Sequence, residues 1–195
     1  MGNTKEEILT VAVHLFARDG YEAVSVSRIA GELGMTKGAL YRHYQNKRDI
    51  FEHIVKRMEQ GDSEQAEKNN VPEEEMEKNP EKYQETTLKD FLEYSKSMFT
   101  YWTEDDFASS FRKMLTLEQF RNEEMQGLYQ QYLAYGPVEY VKDLFRNMDI
   151  VDADYKAVRF YAIMYLYYSI YDGAQDKERV IRQLETALNE MIKEF

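Results

Sequence analysis

Apolar residues recur every three or four positions along most of the chain, and this spacing predicts amphipathic helices rather than strands. The first helix is predicted from about Thr4 to Arg18, where Thr4 can cap the N-terminus and Asp19-Gly20 ends the helix. Glycine and proline, which interrupt helices, number only 9 and 3. We therefore predict an all-α fold of about nine helices.

Three short helices follow before residue 59. The second covers about 25–33 and can be capped by either Ser25 or Ser27. The third covers about 37–44, and the fourth covers about 47–58 or extends further. Together with the first helix they predict a small N-terminal domain.

Residues 59–85 differ in composition, because charged side chains dominate there and apolar side chains are scarce. We predict an acidic linker over this range. Helical spacing resumes at residue 86 and indicates a C-terminal domain over 86–195. The first of its helices is predicted to start after Thr86 or Thr87. The others are predicted around 107–115, over 125–148 with a kink at Pro137, over 153–171 and over 176–193.

Charge is unevenly distributed along the chain. The whole sequence carries −11 at pH 7, which by itself argues against a nucleic-acid partner. Residues 1–58, however, hold nine Lys/Arg against seven Asp/Glu, a balance of +2, so the remaining residues carry −13. Only the N-terminal domain is therefore suited to approach an anion.

Several functional classes find no support in the composition. Cysteine is absent, the first residues lack the apolar segment of a secretory signal, and apolar runs such as 160–168 are too short to span a membrane. The sequence shows no glycine-rich phosphate loop, and no histidine follows a glutamate by three positions. We expect a cytoplasmic protein that is not an enzyme, with no cofactor, no metal site and no membrane partner.

The two short helices at about 25–33 and 37–44 have the spacing of a helix-turn-helix. The second opens with the segment 36–39, whose small side chains and lysine can approach phosphates and base edges. Tyr41 points away from the apolar side that carries Tyr44. We therefore assign Tyr41 to the DNA backbone and Tyr44 to the core.

The stretch from Val24 to Phe51, VSVSRIAGELGMTKGALYRHYQNKRDIF, resembles the TetR/AcrR family of bacterial transcriptional regulators. The order G-x-x-K-G-x-L-Y-x-H-Y-x-x-K carries the resemblance, which covers about residues 5–58. It implies a homodimeric, ligand-responsive repressor whose helix from about Lys37 to Tyr44 enters the major groove of a double-stranded operator. The DNA-contacting residues that it implies are Ser25, Ser27, Arg28, Thr36, Lys37, Gly38, Ala39, Tyr41, Arg42, His43 and Lys47.

Some of these residues have a structural alternative. His43 would also stabilise the C-terminus of its helix as a cation, and Arg42 occupies a position that varies across the family. Lys47 begins a helix, where a cation is unfavourable, and this favours a role in phosphate binding. We interpret His14 and His53 as structural.

Thirteen of the 16 tyrosines lie between Tyr83 and Tyr171, after the N-terminal domain, together with several methionines. This composition suits either an adaptable pocket for a small-molecule effector or an ordinary aromatic core. Nearby acidic residues, Glu104, Asp105, Asp106 and Glu118, would suit a cationic effector, but they are more typical of a solvated surface. The candidate effector-binding residues are Met98, Trp102, Phe111, Met114, Tyr129, Tyr132 and Tyr165.

The last two predicted helices carry more apolar positions than burial on one side requires. A symmetric four-helix interface would bury the excess, in agreement with the homodimer that the resemblance implies. An activator of the same fold and a helical protein-interaction module without DNA binding remain as alternatives. The apolar positions concerned are Tyr161, Met164, Tyr165, Tyr168, Ile181, Leu184, Leu188 and Met191.

Overall fold

A computed structural model describes residues 4–73, 76 and 78–195. Their regular structure consists of eleven helices and no strand, which confirms the all-α prediction. The helices are α1 (Thr4–Asp19), α2 (Val26–Glu32), α3 (Lys37–Leu40), α4 (Lys47–Lys68), α5 (Pro80–Glu85), α6 (Leu88–Glu104), α7 (Asp106–Glu118), α8 (Glu123–Leu133), α9 (Tyr135–Asn147), α10 (Ala153–Gly173) and α11 (Lys177–Ile192).

Side-chain caps set the start of several helices. Ser25 and Thr36 each accept a hydrogen bond from the backbone N–H three residues on, at 3.2 Å, and so begin α2 and α3. Asn79, Asp105 and Asp176 cap α5, α7 and α11 in the same way. Of the two serines predicted as the cap of the second helix, the structure selects Ser25.

Gly34 ends α2 in the left-handed conformation, with φ +63°. Its N–H bonds to the carbonyl of Gly31 at 3.0 Å, and the N–H of Met35 bonds to the carbonyl of Ala30 at 2.9 Å. This pair of bonds is a Schellman motif, in which a residue without a Cβ occupies the left-handed position at no steric cost. The motif fixes the turn between the two helices of the predicted helix-turn-helix.

The range predicted as a linker, 59–85, is largely helical where the structure describes it. Helix α4 continues to Lys68, because Met58 and Ala66 extend its buried stripe. Helix α5 begins at Pro80, where the missing N–H of proline costs no helical hydrogen bond. Residues 74, 75 and 77 of the predicted linker, and residues 1–3 of the predicted N-terminal domain, lie outside the described residues.

The helix predicted over 125–148 is divided into α8 and α9 rather than kinked at Pro137. Ala134 lies between them with φ −132° and ψ −93°, outside the helical region. Helix α9 restarts at Tyr135, so the proline falls in its first turn, where it is tolerated. Pro137 cannot donate to the carbonyl of Leu133, and the Tyr161 hydroxyl donates to that carbonyl instead, at 2.9 Å.

The chain forms two compact units. The first unit comprises the residues up to Gly61 together with Asp105–Tyr129, and the second comprises Asp62–Glu104 together with Gln130–Phe195. This division differs from the predicted C-terminal domain of 86–195, because α7 packs along α1 in the first unit. The core of the first unit includes Ile8, Phe16, Ile29, Leu40, Phe51, Phe111 and Met114.

Aromatic rings from three helices form the centre of the second unit. The Phe91 ring of α6 lies 5.3 Å from that of Phe145 on α9 and 4.9 Å from that of Phe160 on α10. Helix α11 completes the core with Leu184 and Leu188, which are buried beside α10. In the described part of the chain, no helix combines the length and the apolar content that a membrane span requires.

Candidate DNA interface and ligand cavity

The helix-turn-helix lies on the first unit with one side buried and the other exposed. Ile29 and Ala30 of α2 and Leu40 of α3 are almost completely buried, and they fix the two helices against each other. We call the exposed polar side chains at the start of α3 and just after it the recognition surface. Its members are Thr36, Lys37, Gly38, Tyr41 and Arg42, all of which are exposed.

The structure brings all eleven predicted DNA contacts to the first unit. Ser25, Ser27 and Arg28 are also exposed, at the start of α2, whereas Ala39, His43 and Lys47 are half-buried. The ammonium group of Lys37 lies 5.5 Å from the centre of the Tyr41 ring, so the recognition surface presents a positive charge beside a phenol group. Contact of these residues with DNA stays a prediction.

Tyr41 and Tyr44 have opposite surroundings. Tyr41 is 43% exposed and Tyr44 is 3% exposed, which confirms the outward orientation of the former and the packing role of the latter. The Tyr44 hydroxyl donates to the carbonyl of Lys5 at 3.2 Å. Burial, with a smaller contribution from Glu6 and Asp49, raises the pKa of Tyr44 to about 12, so its hydroxyl keeps this proton at neutral pH.

Two cations of the predicted interface are held by the protein itself. The ammonium group of Lys47 donates to the carbonyl of Tyr21 at 2.8 Å and lies 3.7 Å from the carboxylate of Glu22. Arg28 lies 2.8 Å from the carboxylate of Asp19 at the end of α1. Both side chains therefore fasten the segment between α1 and α2, a role that the sequence interpretation did not assign to them.

The two histidines interpreted as structural have acidic neighbours within the first unit. His14 Nε2 lies 2.9 Å from a carboxylate oxygen of Asp106, and His53 Nδ1 lies 3.1 Å from one of Asp49. These contacts join α1 to α7 and stabilise the start of α4. Within the described residues, no group of three or more acidic or histidine side chains is arranged to hold a metal ion.

Glu118, predicted to lie on a solvated surface, is a buried carboxylate. It is fully buried at the end of α7, accepts a hydrogen bond from the N–H of Tyr21 at 3.1 Å and pairs with Arg121 at 3.0 Å. Its position three residues after Leu115, on the apolar stripe of α7, is the signal in the sequence that indicates burial. Glu118 therefore ties α7 to the segment that precedes the helix-turn-helix.

A cavity of about 590 Å³ lies within the second unit. Its walls come from the end of α4, the segment before α5, and helices α5, α6, α8, α9 and α10. The described residues that line it are mainly aromatic and acidic: Asp62, Ala66, Pro72, Glu73, Tyr83, Phe91, Tyr94, Ser95, Met98, Trp102, Gln131, Tyr132, Tyr135, Gly136, Pro137, Glu139, Tyr140, Val141, Asp143, Phe160, Tyr161, Met164 and Tyr168.

Three of the seven candidate effector-binding residues line this cavity: Met98, Trp102 and Tyr132. The structure does not bring the other four there. Phe111, Met114 and Tyr129 are buried in the first unit, because α7 and most of α8 pack with the helix-turn-helix domain. Tyr165 is exposed on α10 and is not part of the cavity lining, although its ring lies 6.4 Å from that of the cavity-lining Tyr161.

The acidic residues considered for a cationic effector are also used elsewhere. Asp105 caps α7, Asp106 contacts His14, and Glu104 accepts a hydrogen bond from the Tyr171 hydroxyl at 3.1 Å. Together with the buried Glu118, they lie outside the cavity lining. The carboxylates that do line the cavity belong to the predicted linker and to α9: Asp62, Glu73, Glu139 and Asp143.

The cavity is rich in phenol groups that stay protonated. Burial raises the pKa of Tyr94, with a further increase from the charge of Asp62, and burial also raises the pKa of Tyr140. The Tyr140 hydroxyl donates to the carbonyl of Pro72 at 2.9 Å. An apolar wall with a few neutral hydroxyl groups and carboxylates is the usual chemistry of a site for a small organic molecule.

Helix α10 carries apolar residues on both of its sides. Phe160, Met164 and Tyr168 are buried within the second unit. The residues on the opposite side are exposed, and we call them the α10 stripe: Val158, Tyr165, Leu166 and Ile170. Most of the apolar positions predicted for a dimer interface are thus buried within one chain, and the exposed apolar surface lies beside them.

The N-terminal part of the chain matches known regulators in sequence. Residues 8–54 match the family described as bacterial regulatory proteins, tetR family. The regulator AcrR of Shigella flexneri is 41% identical over 51 residues, which are 26% of this chain and 24% of AcrR. A regulator of Staphylococcus aureus strain USA300 is 40% identical over 53 residues, 27% of this chain and 29% of that protein. The matched part thus spans about a quarter of each curated relative.

Solved structures match over nearly the whole chain. A TetR/AcrR-type regulator from Aquifex aeolicus has a TM-score of 0.69 at 19% identity, covering 98% of both chains. A SmeT–triclosan complex has a TM-score of 0.72 at 16% identity, covering 98% of this chain and 91% of that one. A regulator from Saccharomonospora viridis in complex with choline has a TM-score of 0.65 at 21% identity, covering 99% and 97%. These similarities establish the fold.

Proposed function

Because the chain belongs to the TetR family of bacterial regulatory proteins, we propose that it is a ligand-responsive, homodimeric repressor that reads the major groove of operator DNA. The observation that carries the proposal is the match over residues 8–54, which contains the whole helix-turn-helix. Its recognition surface is exposed, polar and cationic. The proposed chemistry is reversible binding, with no catalytic step.

The recognition surface supplies different contacts from different residues. Lys37 and Arg42 carry the positive charge that phosphates attract, and Thr36 and Tyr41 supply hydroxyl groups. Gly38 has no Cβ, and apart from its own helix and chain neighbours no atom of the protein lies within 4 Å of where one would be, so the backbone of α3 can approach the DNA closely there. Lys47 contributes chiefly by holding the segment before α2, since its ammonium group is already bound to backbone carbonyls.

Two copies of the domain are needed for tight operator binding, because one recognition surface makes few contacts. The α10 stripe supports a homodimer, since four large apolar side chains on one helix are exposed in a single chain. A symmetric dimer would place its two recognition surfaces in successive major grooves, about 34 Å apart along the DNA. The operator would then be a palindrome.

The cavity in the second unit is the proposed ligand site. Structures of the same fold hold triclosan and choline, and SmeT is described as the repressor of the Stenotrophomonas maltophilia multidrug efflux pump SmeDEF. Helix α4 begins in the first unit at Lys47, and near its end Asp62 and Ala66 line the cavity. A ligand that favours one position of α4 would therefore shift the population of DNA-binding conformations.

Selection of bound duplexes from a random pool tests this proposal. We expect recovery of a palindromic sequence whose half-sites lie about one helical turn apart. The same duplex should then be released when a ligand occupies the cavity. Recovery of no preferred sequence would contradict DNA recognition, and an unchanged affinity for DNA at saturating ligand would contradict the coupling.

A further inference from the structure

The charged groups that line the cavity are all acidic. Asp62, Glu73, Glu139 and Asp143 contribute carboxylates to its wall. Among the described residues of the lining there is no lysine, arginine or histidine. A ligand that enters the cavity therefore meets carboxylates without meeting a cationic side chain of the lining.

Three of these carboxylates differ in the charge of their partners. Glu139 lies 2.7 Å from Lys142, and Asp143 lies 3.2 Å from Arg146, so the wall formed by α9 has compensating cations behind it. Glu73 accepts a hydrogen bond from the Ser63 hydroxyl, a neutral donor that leaves the negative charge in place.

The phenol group of Tyr94 lies within the negative potential of Asp62. After burial itself, the charge of Asp62 makes the largest contribution to the raised pKa of Tyr94, and Glu73 acts in the same direction. The aromatic residues Tyr94, Tyr132 and Trp102 also line the cavity, and a ring that turns its face to a cation attracts it through its quadrupole. Carboxylates and aromatic faces together stabilise a positive charge.

We propose that the cavity selects organic cations: bulky monovalent ions whose apolar groups pack on the aromatic rings and whose charge lies towards Asp62. The inference rests on the proposed function, because it specifies the ligand class of the same cavity. An anion of equal size would give up its hydration and meet carboxylates. A cation exchanges its hydration for carboxylates and ring faces, which is the more favourable exchange.

A pair of ions with the same shape and opposite charge tests this selectivity. Tetraphenylphosphonium and tetraphenylborate each carry four phenyl groups around one charged centre. Trp102 is the only tryptophan of the sequence and lines the cavity, so its fluorescence reports occupancy directly. In sodium buffer, we expect tetraphenylphosphonium to quench Trp102 at concentrations at least about tenfold lower than tetraphenylborate.

Substitutions locate the source of the selectivity. Asp62→Asn removes the charge with little change in size and should weaken tetraphenylphosphonium binding about tenfold, whereas Asp62→Glu should preserve most of it. Glu93→Gln is the matched control, because Glu93 lies on α6 in the same unit but is exposed and outside the lining. That variant should bind the cation as the unmodified protein does. Glu139→Gln should weaken cation binding less than Asp62→Asn does, because Lys142 already compensates the charge of Glu139.

The outcomes separate this inference from the proposed function. Equal or tighter binding of tetraphenylborate would overturn the selectivity for cations, while binding to the selected duplex would still support the repressor. Cation binding that Asp62→Asn does not weaken would also overturn it. Cation-selective quenching in a protein that binds no duplex would support the inference and contradict the repressor.

Discussion

The ammonium group of Lys47 donates hydrogen bonds to the carbonyls of Tyr21 and Glu22, and it lies 4.2 Å from the centre of the Tyr21 ring. One side chain thus joins the first turn of α4 to the segment between α1 and α2. Since α2 follows directly, Lys47 helps to set the position of the helix-turn-helix. A positive charge at the start of a helix is unfavourable in isolation, and these contacts offset that cost.

Replacing Lys47 should therefore affect folding as well as DNA binding. We expect Lys47→Ala to lower the free energy of unfolding by about 1–2 kcal/mol, because a charged donor to two carbonyls is lost. Urea denaturation followed by circular dichroism measures this. The matched variant is Lys37→Ala on the recognition surface, which should change stability by less than about 0.5 kcal/mol and still weaken DNA binding. Equal stability of the two variants would contradict the structural role of Lys47.

The contact between Glu118 and the N–H of Tyr21 can be tested by substitution in the same way. Glu118→Ala leaves the N–H of Tyr21 without its buried acceptor, and we expect a loss of about 1–3 kcal/mol in the free energy of unfolding. Glu118→Gln retains an amide oxygen for the Tyr21 N–H and should lose less. Glu67→Ala, at an exposed position on α4, serves as the control. A stability of Glu118→Ala equal to that of the control would show that this carboxylate does not hold α7 in place.

The junction of α8 and α9 shows how one element compensates for a break in another. Pro137 removes the donor that would have served the carbonyl of Leu133, and the Tyr161 hydroxyl of α10 replaces it. Gly136 is required at this junction, because an added Cβ would collide with the carbonyl of Gln131. The break therefore depends on a glycine and a proline in the first turn of α9 and on a tyrosine of α10.

Tyr161→Phe tests this compensation. Removing the hydroxyl should lower the free energy of unfolding by about 1 kcal/mol, because the carbonyl of Leu133 loses its donor in a partly buried place. Tyr155→Phe removes the same group from a more exposed position on the same helix, outside the α10 stripe, and should leave stability nearly unchanged. Thermal unfolding of both variants gives the comparison, and equal melting temperatures would argue against the replacement.

Local signals in the sequence predicted most elements, and long-range packing accounts for the differences. Caps and a glycine placed the starts of α2 and α3 correctly, because Ser25, Thr36 and Gly34 act on backbone groups within a few residues. The predicted end of the third helix at about Tyr44 was wrong, since α3 ends at Leu40. The continuation of α4 through a charged range depends on two buried positions, Met58 and Ala66, which composition alone hides.

Long-range packing also decided which residues line the cavity. Met98, Trp102 and Tyr132 were among the candidates, but an apolar stripe does not say which core it enters. Phe111 and Met114 therefore could not be distinguished from them before the packing of α7 on α1 was known. The cavity carboxylates were missed for the same reason, since Asp62 and Glu73 lie in the range interpreted as a solvated linker.

At the scale of the whole molecule, the α10 stripe is the exposed surface that a homodimer would cover. Leu166→Glu introduces a charge at its centre and should convert a dimer to a monomer, because burying an unpaired carboxylate is costly. The control is Thr100→Glu, an equal change of charge at an exposed site on α6. Sedimentation velocity measures both variants. A Leu166→Glu protein that remains dimeric would place the interface elsewhere.

The distribution of charge also acts on the molecule as a whole. With −11 overall, most of the surface repels DNA, so productive approach is restricted to the N-terminal domain. Binding should consequently be sensitive to ionic strength and should require the correct orientation. This restriction favours specific operator contacts over general affinity for nucleic acid.

The most direct test of the central claim is fluorescence anisotropy of a selected palindromic duplex and of a scrambled duplex, measured across a range of salt concentrations. A dimer that contacts several phosphates through two recognition surfaces should bind the selected duplex about a thousandfold or more tightly than the scrambled one, and its affinity should fall steeply with salt. Equal affinity for the two duplexes at every salt concentration would contradict operator recognition by this protein.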